Sequence, residues 1–488
     1  EERFSVLYSD KNSRPNTPIN VIVGAEIIKM LFDYSDDEMV DNLMLDPRFQ
    51  LALHTTSFDE QPLSDKSLSR FRRRCYDYEK THGVDLYHDC VTGLAEATAR
   101  MMGIDKRIRR MDSLMVEANI RKLSRMELIY TCISKLIRYL HKNGHDDMIG
   151  HMEHYYDPND FNRVIYHSRS TDADKRIGVL LKDADLLLEK CGNDFEEITE
   201  YQLFVRCLSE QTIVEDGKRR LRTKEDGGMN SSILQNPSDP DATYRKKAGK
   251  EHRGYAANVE ESVGKNGSVV TDYQLDSNNK SDSEFFQEHV EKIGPQEEKT
   301  IISADGAYSG EENTELAAKN NIDLVTTDLT GRDVDPVMGA FELNEDGTRV
   351  LHCPAGNAPR SNWYNKATGI INISFERDKC ANCPFAMHCK PKIFKKVSKL
   401  TVSRKMVNRA LTQARMNTEQ FKLLARIRNG VETVPSALKN IYNVNHMPVR
   451  GKIPCKHFFG SKIAALNFRK LLRFRQGTGH YGQNPLLA

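Results

Sequence analysis

Three carboxylates in this chain stand where an α/β sheet can aim them at one point. Asp112 falls within a predicted first strand, Asp305 at the end of a later one, and Glu432 on a predicted helix. Carboxylates from separate elements form the hard-oxygen ligand set that Mg²⁺ or Mn²⁺ prefers. Two such ions held about 3.5 to 4 Å apart activate a water or a 3′-hydroxyl and stabilise the leaving oxygen of an in-line phosphoryl transfer. With 69 Asp and Glu in the chain, composition alone does not select these three, and a lone Asp at a strand end is ordinarily a cap or turn residue.

A second constellation is built on sulfur. Cys380 and Cys383 form a CxxC, Cys389 follows six positions later and Cys353 lies upstream. Four thiolates are the complement of a closed, tetrahedral structural zinc site, and His388 is a substitute for one of them. The other reading is a set of buried apolar cysteines. A closed site keeps no open position for water, so no catalysis is expected from it. Cys75, Cys90, Cys132, Cys191, Cys207 and Cys455 stand alone, a pattern of a reducing compartment with one local metal site instead of a disulfide framework. A third cluster, Ser67 to Arg74, sets Arg70, Arg72, Arg73 and Arg74 around an apolar face of Leu68 and Phe71. Arginines at that density hold phosphates or read guanines, or they form a solvated cationic face.

The elements that must position these residues read as follows. Residues 15–100 are helical, with a capping box at Ser35 and Glu38 opening a helix toward Leu45 and further helices near 64–79 and 84–102. Strand character appears over 107–118, and helical periodicity returns from Ser124 to about 225. A Gly, Asn, Ser, Pro and Asp-rich stretch over 226–242 is a loop or hinge. Gly254 to Val263 and Ser268 to Leu275 read as paired strands about an Asn266-Gly267 turn. A helix from Ser281 to Ile293, a strand from Thr300 to Asp305, a helix over 310–320 and a strand from Ile322 to Thr326 follow. This order predicts an α/β chain with one mixed sheet and flanking helices, and the ribonuclease H-like fold is one such arrangement. Residues 330–400 break it as an inserted β-rich module would. Helix resumes over 404–440, and Lys456 to Arg475 form a last amphipathic helix.

At 488 residues, with 39% hydrophobic content, the chain is long enough for two to four packed domains. No window approaches a membrane span, and the acidic opening EERFSVLYSD has no apolar signal core. The net charge of +2 excludes a histone-like polycation but conceals a cancellation. From Lys395 to Arg475 there are 19 Lys and Arg against only Glu419 and Glu432, a segment to which a polyanion would be drawn with strong salt dependence.

The segment RNGVETVPSALK places Arg428, Glu432 and Lys439 in R-x3-E-x6-K spacing, and so resembles the Y-R-E-K motif of DDE-type insertion-sequence transposases. The Tyr of that motif, three positions before the Arg, is Ala425 here. Further words resemble the same bacterial family in the same order: RPNTPINV, SDDEMVDNL, SLSRFRRR, MDSLMVEAN around Asp112, PSDPDATYRKKAGKEHRGYAANV, ADGAYSGEEN around Asp305, CPAG at Cys353 and the CxxC.

The resemblance implies a ribonuclease H-like core in which Asp112, Asp305 and Glu432 are the catalytic triad for two Mg²⁺ or Mn²⁺ ions, with Arg428 and Lys439 on phosphates near the scissile bond. On one helix 428, 432 and 439 would share a face, and Pro435 would kink it. An exposed i,i+4 salt bridge is the other reading of 428 and 432. The implied layout is a helical DNA-binding domain at 1–104 and a core at 105–328 with a helical insertion at about 120–230. An inserted Cys-containing module at 329–403 and a core completion at 404–488 follow. The lone tryptophan, Trp363, either packs in the module's core or hairpin or stacks on a flipped base. Arg469, Lys470, Arg473 and Arg475 join the α-helical arginines as DNA-end candidates. The expected partners are double-stranded DNA, as terminal inverted repeats and as target, and further copies of the chain. The expected location is the bacterial cytoplasm, on the nucleoid. The implied activity is cleavage at element ends and strand transfer. The rivals are a captured, non-catalytic DNA-binding regulator and a nuclease that only hydrolyses.

Overall fold

A computed structural model describes residues 2–8, 17–55, 63–64, 66–166, 172–192, 194–247, 249–326, 333–478 and 485–487. The first three residues of the RPNTPINV word, 14–16, lie outside the described residues.

Five helices open the chain: α1 (Ile19–Phe32), α2 (Asp36–Leu45), α3 (Pro47–Leu53), α4 (Ser67–His82) and α5 (Leu86–Met101). The expected capping box at α2 is present, with the Ser35 amide donating to the Glu38 carboxylate at 2.7 Å and the Glu38 amide to the Ser35 hydroxyl. These helices do not close on themselves. Leu68, Phe71 and Tyr87 share one core with Tyr255, Tyr273, Phe458 and Phe459 from the sheet and the last helix.

The central sheet begins with β1 (Ile108–Glu117). The chain then leaves it for α6 (Arg125–Lys142), α7 (Asp146–Ile149), α8 (Asp160–Ile165), α9 (Ala173–Cys191) and α10 (Thr199–Gln211). These helices pack around their own core of Ile133, Ile137, Tyr155, Leu187 and Phe204. Helix was expected to about 225, but it stops at Gln211. A hairpin of β2 (Thr212–Glu215) and β3 (Lys218–Leu221) follows. The physical reason is visible in the residues: β-branched Thr212, Ile213 and Val214 lead into Asp216-Gly217, both at positive φ, which is the turn a tight hairpin demands.

The remaining strands of the sheet are β4 (Thr243–Lys247), β5 (Lys250–Gly264), β6 (Gly267–Ser277), β7 (Thr300–Ala304) and β8 (Ile322–Thr326). Helix α11 (Asp282–Ile293) precedes β7, and α12 (Glu311–Lys319) precedes β8. Strand order is β4-β5-β1-β7-β8, with β6 also on β5. β1 runs antiparallel to β5 and parallel to β7, so the sheet is mixed and the fold α/β. β5 passes Gly254 at φ 147°, where a Cβ would lie 2.4 Å from the Val116 carbonyl oxygen. Its first residues pair β4, a strand the sequence reading missed, and the rest pair β6. The β5–β6 turn is Lys265-Asn266 between paired Gly264 and Gly267, one residue earlier than the Asn-Gly reading placed it.

Beyond β8, β9 (Glu342–Leu343) and β10 (Val350–His352) pair, and a four-stranded antiparallel sheet forms from β11 (Ser361–Asn365), β12 (Ile370–Glu376), β13 (Lys392–Ile393) and β14 (Val397–Val402). Short helices α13 (Arg377–Ala381) and α14 (Ala386–Cys389) carry Cys380 and Cys389, and Cys383 lies between them. Ile371, Ile373, Phe375 and Val402 on one face of this sheet pack with Val407 and Ala410 of α15 (Arg404–Met416). The chain ends through α16 (Glu419–Asn429), a 3₁₀ turn over Gly430–Glu432, α17 (Thr433–Asn440) and α18 (Lys452–Arg475). The amphipathic reading of α18 is corrected: residues 457–467 are buried on every side, and Gly460 is bare because a Cβ there would sit 2.1 Å from the Tyr273 hydroxyl. Among the described residues, no helix is long and apolar enough to cross a membrane.

Candidate active site

Strand β1 sets up the site by placing Arg110 and Asp112 two residues apart on one face. Arg110 is fully buried. Its Nε donates to Glu261 at 2.6 Å and its Nη1 to the Ile427 carbonyl at 2.7 Å. Lys470 pairs with the other Glu261 oxygen. Burial alone would raise the Glu261 carboxyl, but Lys470 and Arg110 hold it down at about 2. The end of α16 is thus tied to the strand that carries Asp112. A Cβ on Gly430 would lie 2.2 Å from Arg110 Nη1, so this approach requires glycine.

Residues 428, 432 and 439 follow one helical path that tightens into a 3₁₀ turn between α16 and α17, with Asn429, Gly430, Glu432 and Thr433 all at right-handed helical φ/ψ. Arg428 lies in the last turn of α16, Glu432 ends the 3₁₀ turn and Lys439 is half-buried in α17. Pro435 is not the cause. It is the third residue of α17, within the first turn, where its missing N–H has no helical partner to lose. The tightening to 3₁₀ starts earlier, at Gly430, the residue that meets Arg110.

Two of the three carboxylates nonetheless face one cation. Arg428 Nη2 lies 3.9 Å from Asp305, and Nη1 lies 3.3 Å from Glu432. Asp305 caps the short turn Gly306–Tyr308, accepting from the Ala307 amide at 2.8 Å. Beneath it the fully buried Tyr308 donates its hydroxyl to Asn258 at 2.7 Å. The Asp112 carboxyl is pushed up to about 6, chiefly by burial, with Asp305 adding to the effect and Arg428 and Lys247 opposing it. Its neighbour Ser113 donates a backbone N–H to it at 2.9 Å. Arg428 Nε is buried without a hydrogen-bond partner among the described residues. Glu432 is exposed, at 70% for its side chain. As the chain stands, no three His, Cys, Asp or Glu side chains among the described residues are close enough together to hold a metal ion. The donor set is all oxygen and only loosely engaged by Arg428, which suits a hard divalent cation.

Lys247 was missed. It sits at the tip of the β4–β5 hairpin, and its charge reaches Asp112. The signal available was the lysine run around Gly249, a residue at positive φ. Ala425, at the motif's Tyr position, packs with Phe421, Val263 and Val325 in an apolar cluster.

Cys353, Cys380, Cys383 and Cys389 line one cavity of about 20 Å³, together with Phe341, Phe375 and Leu400. Burial, then the neighbouring thiols, pushes Cys389 up to about 11, and burial raises Cys380. His388 points away to Asp335, at 2.9 Å, and leaves the lining to the four sulfurs. All ten cysteines are free.

The basic candidates divide. Arg72 is buried and ion-paired with Glu26 and Asp36, so it is withdrawn as a DNA contact. Arg70, Arg73 and Arg74 are exposed on the same helix, with Arg74 over the Tyr8 ring. Lys470 is likewise withdrawn, since it is committed to Glu261 and Ser268. Arg469 is half-buried, whereas Arg473 and Arg475 are exposed. Much of the basic run from 395 to 475 is also spent internally: Arg404 on Glu311 and Glu315, Arg415 on Asp323, Lys452 on Asp276 and Lys456 on Glu79 and Asp85. Trp363 is neither core nor hairpin filler, being 62% exposed on β11.

Comparison with known proteins gives two family matches. Residues 352–472 match the transposase DDE domain family, and residues 1–74 match a transposase domain family, DUF772. The first spans the cysteine cluster, Arg428, Glu432 and most of α18. Among solved structures, a piggyBac transposase synaptic complex with hairpin DNA aligns at 10% identity over 85% of this chain and 83% of that one. Its TM-score is 0.18, too low to carry argument. No curated protein matches.

Proposed function

This chain belongs to the DDE-type insertion-sequence transposases, and from that premise we propose that Asp112, Asp305 and Glu432 are its catalytic carboxylates, acting on DNA in a ribonuclease H-like core. The observation that carries the reading is that one guanidinium, Arg428, faces both Asp305 at the end of β7 and Glu432 at the α16–α17 junction, with Asp112 of β1 near enough for Asp305 and Arg428 to shift its carboxyl. Two Mg²⁺ or Mn²⁺ ions, when bound, would supply activation of a water or 3′-hydroxyl and stabilisation of the leaving oxygen. This chain's own part is to hold the three carboxylates in place. Asp112 loses its proton near pH 6, so the site gains full charge just below neutrality. Arg428 and Lys247 carry positive charge beside the carboxylates, and with Lys439 they are the groups that would receive the scissile phosphate. The four cysteines line one cavity but do not stand close enough together here to hold an ion, so a structural zinc would require them to close around it and would draw off the thiol protons that burial favours at Cys380 and Cys389.

The domain layout 1–104, 105–328, 329–403 and 404–488 follows from this reading, as does end recognition by Arg70, Arg73, Arg74 and Arg473 and assembly of two or more copies on paired ends. The test is a duplex carrying the element's end, incubated with Mg²⁺ or Mn²⁺. Asp305→Asn is expected to lower strand cleavage by at least about 10³-fold, some 4 kcal/mol of barrier, while end binding survives. Undiminished nicking by the variant would sink the assignment. Cleavage without any joined product would favour a hydrolytic nuclease, and binding without cleavage a regulator.

A further inference from the structure

Helices α16 and α17 and the 3₁₀ turn between them form one continuous path, and its solvent side is ordered. Lys422, Arg426, Asn429, Thr433, Ser436 and Asn440 are all exposed and recur at steps of four, three, four, three and four residues. That spacing keeps them in one row, which at 1.5 Å per residue runs about 27 Å. Arg428, Glu432 and Lys439 each stand one residue before a member of the row, and so lie about 100° round the same path. The row therefore runs alongside the candidate catalytic residues. Two cations at its start are followed by four neutral amides and hydroxyls, with no carboxylate among the six. A helix face that is merely solvated carries both signs, as α9 does with exposed Asp174, Lys175, Lys182, Asp185 and Glu189. Lys422 meets only Glu419, at 2.7 Å on the surface, a pair that a phosphate can displace. Arg426 makes no ion pair, and the Asn429 side chain no hydrogen bond, among the described residues. Ser436 accepts from the Asn440 amide at 3.2 Å, which leaves the Ser436 hydroxyl proton and the second Asn440 N–H free to donate. Thr433 alone is spent, donating to the Gly430 carbonyl at 2.8 Å. An apolar partner would find no apolar group in this row. A chain of phosphate oxygens, which only accept, matches a row whose open groups all donate.

We propose that this row is a track for the backbone of double-stranded DNA, with Lys422 and Arg426 on phosphates by charge and Asn429, Ser436 and Asn440 on neighbouring phosphates by hydrogen bonds. The row positions the duplex so that one phosphate lies against the carboxylates beside it. The proposal rests on the reading of the chain as a DNA transposase, but on none of its three carboxylates. Its test uses the full chain without divalent ions, where nothing is cut, and follows the anisotropy of a labelled duplex over a series of salt concentrations. Lys422→Ala with Arg426→Ala should lower the slope of log affinity against log salt by about 1.8, because each phosphate contact contributes about 0.9. Asn429→Ala, Ser436→Ala and Asn440→Ala together should weaken binding at least about tenfold at every salt concentration and leave the slope as it was. Both losses should be equal on the element's end and on an unrelated duplex, since backbone contacts carry no base sequence. Arg138→Ala with Lys142→Ala removes two exposed cations from α6 in the helical insertion and should change neither affinity nor slope. All these positions are exposed, and affinities are compared on the folded fraction. Row variants that bind as the parent does, a loss confined to the end duplex, or a slope that falls as far in the α6 variant would each overturn the proposal. A parent that leaves every duplex unbound would overturn the transposase reading as well. Lost cleavage in Asp305→Asn moves none of these slopes, so the two readings fail separately.

Discussion

One strand, β1, supplies both charges enclosed by opposite partners and a carboxylate whose burial its neighbours do not offset. Arg109 reaches Glu260 at 3.2 Å, and Glu260 also takes His289 at 2.7 Å. Asp272 beside them holds His88, His289 and Lys292. Arg110 closes on Glu261 and Lys470. Burial works against the charges of Glu260 and His289, yet Glu260 is held at about 2 and His289 at about 9 by the partners they face. Two residues along, the balance reverses: Asp112 is raised to about 6, Asp305 has an arginine at 3.9 Å, and Glu432 is in solvent. The contrast separates scaffold from site. A buried carboxylate whose cation is built into the fold holds elements together. One whose charge is left uncompensated is a place for a cation the chain does not itself supply.

Breaking the closed side should have the largest effect. Arg110→Met leaves Glu261 facing Lys470 alone and unties the Ile427 carbonyl. Uncovering half of a buried pair costs about 3 to 5 kcal/mol, read as a fall in the urea midpoint. Arg110→Lys keeps the charge but not the fork that reaches Glu261 and Ile427 together. It should therefore recover most of the stability while strand cleavage stays depressed. An unchanged midpoint in the Met variant would show that the cluster is not scaffold.

The open side should respond with the opposite sign. The raised carboxyl of Asp112 contributes stability that is present below its ordinary value near 3.8 and lost as pH rises through about 6. At pH 8, without divalent ions, its charge costs on the order of 2 kcal/mol. Asp112→Asn removes that charge, so the variant should unfold at a higher urea concentration than the parent at pH 8, with the difference closing toward pH 4. Adding Mg²⁺ should raise the parent's midpoint and leave the variant's where it was. A variant less stable than its parent at pH 8 would mean that Asp112 belongs with the scaffold.

The two sides were not equally legible. Local signals placed elements well: Ser35 and Ser281 cap α2 and α11 with Glu38 and Glu284 as their spacing demands, and Asp112 lies in a strand and Asp305 just after one. What failed depended on partners far along the chain. Nothing near Arg72 says that Glu26 and Asp36 will bury it, and nothing near Lys470 names Glu261. The RNG triplet reads as plain helix, and its tightening to a 3₁₀ turn starts where Arg110, more than 300 positions earlier, is packed against Gly430. Choosing three carboxylates from 69 rested on ordered sequence words, because the charge balance that marks them out exists only once the sheet has formed.

The same division appears on a single helix, where the smallest effect is expected. In α4, Arg72 is enclosed between Glu26 and Asp36, whereas Arg73 one residue on reaches only the exposed Asp77, at 3.7 Å. Such a surface pair contributes little, so Arg73→Ala should leave the unfolding midpoint unmoved. If the exposed face of Arg70, Arg73 and Arg74 lies along an end duplex, each arginine removed should lower the slope of log affinity against log salt by about 0.9. Arg72→Met should do the reverse, lowering the midpoint while the slope measured on the folded protein stays constant. A slope indifferent to all three exposed arginines would place the phosphate contacts elsewhere, and would leave α4 as a helix whose charges serve only the fold.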